Sequence, residues 1–371
     1  MTKRKILVAM SGGVDSSVAA ALLQEEGHEV GGATIRTWAP NDCEDLNTRA
    51  CCGLSGVEDA RDVATTLNIP YWVFNFEKNF KASVVDYFAS EYKQGRTPNP
   101  CIACNEHVKF RQFLVRARQL GFDTIATGHY ARLEYDEGRK AHYIAEGTDA
   151  AKDQSYVLFP LDQEVLSSTL LPLGGYTKQE IRQKARALGL ESVMAKPDSQ
   201  EICFIPSNDY GTFLEKRYQD PALNPGETLP GEGLVKTTDG KVIGKHPGYF
   251  HFTRGQRRGL AIPHTEKLYV VNVDPVQNEV IVGLKHEVLN LNCRITRMNW
   301  FLKPAVGETL NVAVKIRSQH QKARAKIYVN TESEIEVTFE EPQDAITPGQ
   351  AGVVYEGSRV LGGGWIQQVM A

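Results

Sequence analysis

The pattern of apolar and polar positions changes rhythm along the chain. In the first half, short apolar runs alternate with helical periodicity. KILVAM reads as a strand, SSVAAALLQEEG as a helix ended by Gly27, and EVGGATI as a second strand. GVEDARDVATTLNI then predicts a helix, PYWVFNF a strand, NFKASVVDYFASEYKQG and HVKFRQFLVRARQLG two further helices, and DTIATGHYA another buried strand. This alternation predicts a parallel sheet covered by helices on both faces, with ligands at the carboxyl ends of its strands. After the helix predicted at TKQEIRQKARALGL and the segment AKPDSQEICFIP, the texture shifts. From about residue 222, Gly and Pro punctuate short runs such as KLYVVNVD, NEVIVGL, TLNVAVKIR, ARAKIYVN and EIEVTFE, the pattern of a β barrel or sandwich. NPGETLPGEG is the expected boundary loop, with a second boundary near 286 to 292. The expected fold is therefore α/β at the start (1–210), a small mainly β central domain (211–286) and a C-terminal β-barrel (287–371).

Length supports this division, because 371 residues exceed what one core usually serves. The composition, 42% hydrophobic and 23% charged, is that of a globular protein, and no apolar run approaches the roughly 20 residues that span a bilayer. The apolar run in MTKRKILVAM is too short for a signal sequence and passes directly into a Gly/Ser motif, so the expected location is cytoplasmic, with no membrane partner. Seven cysteines, an odd number, argue against a disulfide framework and for catalytic, metal-binding or buried thiols. The net charge of -3 provides no global attraction to nucleic acid, but two stretches lack acids: 241 to 265, with Lys241, Lys245, Arg254, Arg257 and Arg258, and 310 to 330, with Lys315, Arg317, Lys322, Arg324 and Lys326. Each reads either as a phosphate-binding surface or as a solvated strand face.

Candidate chemistry begins at residues 9 to 17, AMSGGVDSS, which follow the first strand and open the first helix. Glycines allow close backbone approach, and amides at a helix start suit a pyrophosphate; the alternative is a plain Gly-rich turn with Asp15 as a cap. The loop has no Walker lysine and is not G-x-G-x-x-G. SGGVDSS resembles the signature of the PP-loop ATP pyrophosphatases, which have an adenine nucleotide alpha hydrolase-like fold and transfer AMP to a substrate oxygen. That resemblance implies ATP contacts at Ala9, Met10, Ser11, Gly12, Gly13, Val14, Asp15, Ser16, Ile35 and Gly128, with Mg2+ on the phosphates. ATGHYA (126 to 131) matches a second nucleotide segment, in which His129 is either a buried, satisfied histidine or a ligand contact.

GRTPNPCIACN, KDQSY (152 to 156), SQEICFI (199 to 205) and TPGQAGVVYEGSRVLGGG are similar, in order and spacing, to the tRNA-specific 2-thiouridylases, enzymes of tRNA-uridine 2-sulfurtransferase type. The resemblance implies adenylation of C2 of the wobble uridine (position 34) of tRNA Glu, Gln and Lys. A sulfur carried as a cysteine persulfide then replaces that oxygen, releasing AMP and pyrophosphate; a cysteine desulfurase or sulfur relay protein supplies the sulfur. By motif position, Cys203 is the persulfide carrier and Cys104 the nucleophile, and the two form a disulfide during turnover. Asn99, Pro100 and Cys101 face the target base, and Lys152, Asp153, Gln154, Arg317 and Ser318 the tRNA. Cys104 is expected just before a helix starting near Asn105 or Glu106, whose N-terminus would favour the thiolate. Local sequence alone reads Cys203 as a small buried residue among Ile202, Phe204 and Ile205.

Many relatives have aspartate where this chain has Cys101, so no general-base role is assigned there. Cys101, Cys104 and Cys203 are instead three soft ligands that leave open a [4Fe-4S] cluster delivering sulfur in the same overall reaction. Zinc would need Cys43, Cys51 or Cys52 to complete the set, and Cys293 reads as core. A PP-loop amidotransferase or ligase is the remaining alternative.

Overall fold

A computed structural model describes residues 3–37, 54–194, 202–205, 209–220, 229–260 and 262–370. The insert with Cys43, Cys51 and Cys52, residues 199 to 201 of SQEICFI, and the first half of NPGETLPGEG lie outside them.

Strands β1 (Lys5–Ala9), β2 (Glu29–Arg36), β3 (Tyr71–Asn75), β4 (Thr124–Ala126) and β7 (Thr169–Leu170) form a parallel sheet in the order β3-β2-β1-β4-β7. β1 is apolar throughout because both its faces are covered. Ile6 and Val8 enter a core with Val18, Leu22, Val63 and Ile181, while Leu7 enters the opposite core with Phe74, Phe113 and Ile125. Helices α1 (Val14–Glu25), α2 (Leu54–Thr66), α3 (Glu77–Phe80) and α4 (Asp86–Lys93) follow, the last two joined by a π turn at Lys81–Val85. α5 (Pro100–Ala103) runs through a π-helical stretch, Cys104–Gln112, into α6 (Phe113–Gln119). The short α7 (Gln163–Ser167) precedes β7, and α8 (Lys178–Ala187) packs against α1. α8 starts with a capping box in which Glu180 Oε2 accepts the Thr177 N–H at 2.7 Å. Only the first residues of DTIATGHYA are strand: the chain leaves the sheet after Ala126 and turns over the loop that follows β1. Gly128 permits this, because a Cβ there would lie 2.9 Å from the Ser16 nitrogen.

In the second half, β8 (Gly233–Thr237), β9 (Val242–His246), β10 (Tyr269–Asp274) and β11 (Glu279–Gly283) form a sheet in the order β10-β11-β8-β9. Strands β12 (Leu289–Trp300), β13 (Thr309–Lys315), β14 (Ala323–Thr331), β15 (Glu334–Asp344), β16 (Ala351–Glu356) and β17 (Arg359–Met370) pair in the order β12-β15-β14-β13-β16-β17, and the β12–β17 pairing closes a barrel. The fold class read from the sequence is thus the one observed. An unforeseen feature is that the hairpin β5 (Ala131–Asp136) and β6 (Ala141–Glu146) extends the barrel's sheet, with Ala145 registered against Arg359 of β17.

The GGG run in β17 is explained by closure. β12 bulges twice against β17, and the strand backbones approach until a Cβ on Gly364 would meet the Thr296 carbonyl oxygen at 2.5 Å. Replacing Gly364 with Val should therefore destabilise the protein by about 1–3 kcal/mol, the usual penalty for overpacking, measured as a lower urea midpoint.

Candidate active site

The strand order reverses direction between β1 and β4, and the two nucleotide candidates lie at the carboxyl ends of these strands: residues 10 to 13 after β1 and 127 to 130 after β4. Gly13 is the N-cap of α1 and has no side chain to bond the first-turn amides, which leaves those donors for a ligand. Gly12 has φ 72°, and a Cβ there would lie 2.3 Å from the Gly56 carbonyl, so α2 packs directly on the loop. The loop is tightened from inside: Ser16 Oγ accepts the Ser11 N–H at 3.2 Å and donates to Gly13 O at 3.1 Å. Met10 is buried, its carbonyl accepting from Thr34 Oγ1 at 2.7 Å, and Ile35 is half-buried on the neighbouring strand.

Asp15 is not a cap. Its carboxylate accepts from the Lys178 ammonium at 2.7 and 2.9 Å and from the Tyr130 hydroxyl at 2.6 Å. Lys178 is 8% exposed. It is the functional candidate that sequence reading misses, because only the sheet topology brings the first residue of α8 to the mouth of the loop. The loop's own sequence has no Walker lysine, and the ammonium at its mouth comes from a remote helix. His129 is buried, its Nδ1 2.7 Å from Thr127 Oγ1 and its ring 5.5 Å from that of Phe110. Burial, aided by Lys109, pushes its pKa down to about 3, so the ring is neutral at working pH.

The thiol loop differs from expectation in where its helix begins. Asn99 is the N-cap, its Oδ1 accepting the Cys101 N–H at 3.1 Å, and Pro100 occupies the first helical position. Cys101 is therefore exposed in the first turn, while Cys104 lies a turn deeper at the start of the π-helical stretch and is 7% exposed. The helix-end field fades within a turn, so that argument attaches to Cys101 and not to Cys104. Glu106, two residues beyond, is held above the usual carboxylate range by burial, with His107, Arg111 and Arg297 pulling the other way.

The local-sequence reading of Cys203 as a small buried residue is not the one observed. Cys203 is exposed, although both following residues are buried. Phe204 anchors the turn in an aromatic cluster, 5.6 Å from Phe80, 5.4 Å from Phe88 and 5.5 Å from Phe213, which leaves the preceding thiol outside. α5 packs against the π turn between α3 and α4, so both thiol segments rest on one helical support. Among the described residues, no group of three or more His, Cys, Asp or Glu side chains converges to hold a metal ion, so Cys101, Cys104 and Cys203 do not form a cluster site in this conformation. Cys293 is core on β12, and burial pushes its thiol up to about 12.

A continuous series of contacts joins the phosphate loop to Cys104. Tyr130, bonded to Asp15, exchanges two bonds with Gln154: its N–H donates to Gln154 Oε1 at 2.9 Å, and its carbonyl accepts the Gln154 N–H at 2.8 Å. Three residues on, the Val157 carbonyl accepts from Asn105 Nδ2 at 3.1 Å, immediately after Cys104.

The candidate tRNA residues divide. Asp153 accepts from the Gly147 and Ser155 backbone, both at 3.1 Å, so its carboxylate is engaged internally. Lys152 is half-buried beside it. Arg317 donates to Asp344 O at 3.1 Å, and Ser318 is half-buried. Lys322 is tied to Glu146 at 2.6 Å and to Gly357 O at 2.8 Å, so it links β6 to the barrel. Arg254 is likewise structural, bonded to Val271 O and to Asn290. Arg324 and Lys326 alternate outward on β14 beside exposed Tyr328, and Arg257 and Arg258 are exposed near an open depression of about 580 Å³ lined by Leu260, Ile262, Pro263 and Lys267.

A family model described as the tRNA methyl transferase HUP domain matches residues 4–207, a PRC-barrel model of the same series matches 227–284, and an aminomethyltransferase beta-barrel model matches 290–366. The tRNA-specific 2-thiouridylase MnmA of Acetivibrio thermocellus is 46% identical over 368 residues, 99% of this chain and 100% of that protein. The protein of the same name from Geobacter metallireducens is 47% identical, covering 99% of this chain and 98% of its own. The chain belongs to the tRNA-specific 2-thiouridylase family. Among solved structures, NMN synthetase from Francisella tularensis overlaps 61% of this chain and 79% of its own at a TM-score of 0.34 and 14% identity. Residues 4–207, matched by the HUP-domain model, include the phosphate loop, the Cys104 helix and Cys203.

His129 gives a pH test. The unfolded chain takes up a proton on this ring near pH 6.5, and the folded protein does so only near 3, so His129 withdraws stability as pH falls through that window. The urea-unfolding free energy of wild type should drop more steeply than that of His129→Gln between about pH 6 and about pH 5, by up to about 1.4 kcal/mol per unit.

Proposed function

We propose that this chain thiolates C2 of the wobble uridine (position 34) of tRNA Glu, Gln and Lys, using ATP and sulfur delivered as a cysteine persulfide. The carrying observation is the unbroken series from Asp15 through Tyr130 and Gln154 to Asn105, which ties a phosphate-binding loop to the Cys104 helix. Adenylation and sulfur transfer must act on the same carbon, so the two centres need a fixed separation.

In the proposed sequence, the uridine O2 attacks the α-phosphate of ATP and pyrophosphate leaves. The α1 amides and Lys178 face the phosphates and stabilise the developing charge. A magnesium ion on the nucleotide would share Asp15 with Lys178. The terminal sulfur of a Cys203 persulfide then bonds to C2, and AMP departs with the former carbonyl oxygen. Cys104 attacks the Cys203 Sγ, the bond from that sulfur to the transferred sulfur breaks so that 2-thiouridine leaves with the sulfur on C2, and the resulting Cys104–Cys203 disulfide is reopened by an external thiol reductant. The exposure of Cys203 suits loading by a donor protein, and the burial of Cys104 keeps water from the thiol that closes the cycle.

Protein incubated with ATP, a persulfide donor and unmodified tRNA Glu should yield AMP and 2-thiouridine. Cys203→Ser and Cys104→Ser should each abolish thiouridine; thiouridine that survives Cys203→Ser overturns the assignment. Lys178→Met should lower the rate of AMP formation about a hundredfold, the scale of losing one preorganised charge-stabilising donor. For tRNA, the surface cations are the probe: reversing Arg324 and Lys326 should weaken binding and reduce the salt slope by about one per lost phosphate contact. Lys322, engaged with Glu146, should act through stability instead.

A further inference from the structure

The loop that enters the Cys104 helix is gripped from two sides. From the central region, the hydroxyl of Tyr249, between β9 and β10, donates to the Lys93 carbonyl, and Gly95, with φ 69°, lies so close to Pro275, just after β10, that a Cβ would approach its Cδ at 3.0 Å. From the barrel, both backbone polar groups of Thr97 are taken by one turn. Its N–H donates to Pro348 O at 3.0 Å, and its carbonyl accepts from Gln350 Nε2 at 3.0 Å. Between these bonds sits Gly349, φ 90°, where a Cβ would lie 2.9 Å from the Thr97 nitrogen.

The same turn reaches the other side of the thiol. The carbonyl of Ala351 accepts from the Tyr156 hydroxyl at 2.9 Å, and the carbonyl of Val157, next in the chain, accepts from Asn105. Four consecutive barrel residues, 348 to 351, thus hold the helix ahead of its Asn99 cap and again just past Cys104. The turn is itself fixed to the barrel, with the Gly349 N–H donating to Ile366 O at 2.9 Å and the Ile366 N–H to Gln350 O at 2.8 Å.

We propose that the Pro348–Ala351 turn of the barrel sets the position of Cys104 for sulfur transfer, with Gln350 and Tyr156 as its positioning residues. The proposal rests on the thiolation reading and adds that the barrel is part of the scaffold of the catalytic centre. A displacement of about an ångström in a reacting group costs up to a hundredfold in rate, and the segment 95 to 98 has no sheet of its own to hold it. Its two Thr97 bonds and the Tyr156 bond supply that restraint.

The test compares Gln350→Ala, Tyr156→Phe and the double variant with wild type, using kcat for 2-thiouridine per active site, KM for ATP, Kd for tRNA Glu and melting temperature. Each single variant should lose about tenfold in kcat, within the range expected for a shifted nucleophile, and the double variant more, with KM and Kd within about twofold of wild type. Unchanged kcat in a folded variant with a lowered melting temperature would show mere domain packing and overturn the proposal, as would a loss carried wholly by KM or Kd. If Gln350→Ala does not fold, Tyr156→Phe, which removes only a hydroxyl, decides alone. Failure of wild type to make thiouridine would instead sink the thiolation reading.

Discussion

The Asp15 carboxylate is the constraint on which the site depends. It fixes three elements that sequence separates widely: the start of α1, the loop after β4 through Tyr130, and the start of α8 through Lys178. A largely buried ammonium is tolerable only with a close counter-charge, and removing either partner strands the other. The pair therefore specifies geometry more than it adds stability. It also sets the charge seen by an incoming phosphate: a cation already in place, oriented by a carboxylate, beside helix amides that no side chain caps.

Much of the fold was legible because both periodicities are strong. β1 reads as a buried strand since neither of its faces meets water, and TKQEIRQKARALGL reads as the helix that α8 is, starting at its Thr177 cap. Where reading failed, long-range partners or a neighbour's packing decided the outcome. Lys178 looks like any surface lysine at a helix start until the sheet order is known. Cys203 looks buried because its neighbours are apolar; Phe204 captures the aromatic pocket and so turns the thiol outward. The helix start at Asn99 was in principle readable, as an Asn cap followed by Pro, yet two prolines in TPNP weigh equally for a loop. The β5–β6 alternation is local, but its pairing to β17 is not.

The cysteines illustrate how placement narrows chemistry. Cys101 and Cys104 are three apart on one helix, yet one is exposed and the other buried. Cys203 sits exposed in an irregular turn whose following residues, Phe204 and Ile205, are buried in the core, with the Ile205 N–H donating to Ile202 O at 3.0 Å. A cluster would need three sulfurs held at one point, and the described residues do not offer that convergence.

Closure of the barrel explains why so distant a domain can serve the thiol loop. A closed sheet has no free edge and resists shear, because every strand is paired on both sides. Its β16–β17 region meets the first domain at Thr97, at Tyr156, where Ala351 accepts a hydroxyl, and at Ala145, where β6 joins the sheet. Further contacts join the same two parts, among them Ser155 Oγ with the Tyr355 hydroxyl at 3.0 Å and the Glu146 N–H donating to Ser358 O at 2.9 Å, so the attachment is spread along this region. The outward cations of β14 belong to that same closed sheet, so on the proposed reading an RNA backbone resting on them would be held at a set distance from the helix that carries Cys104. Substrate recognition and thiol placement would then share one frame, and a loop with no strand partner of its own would take its position from the barrel.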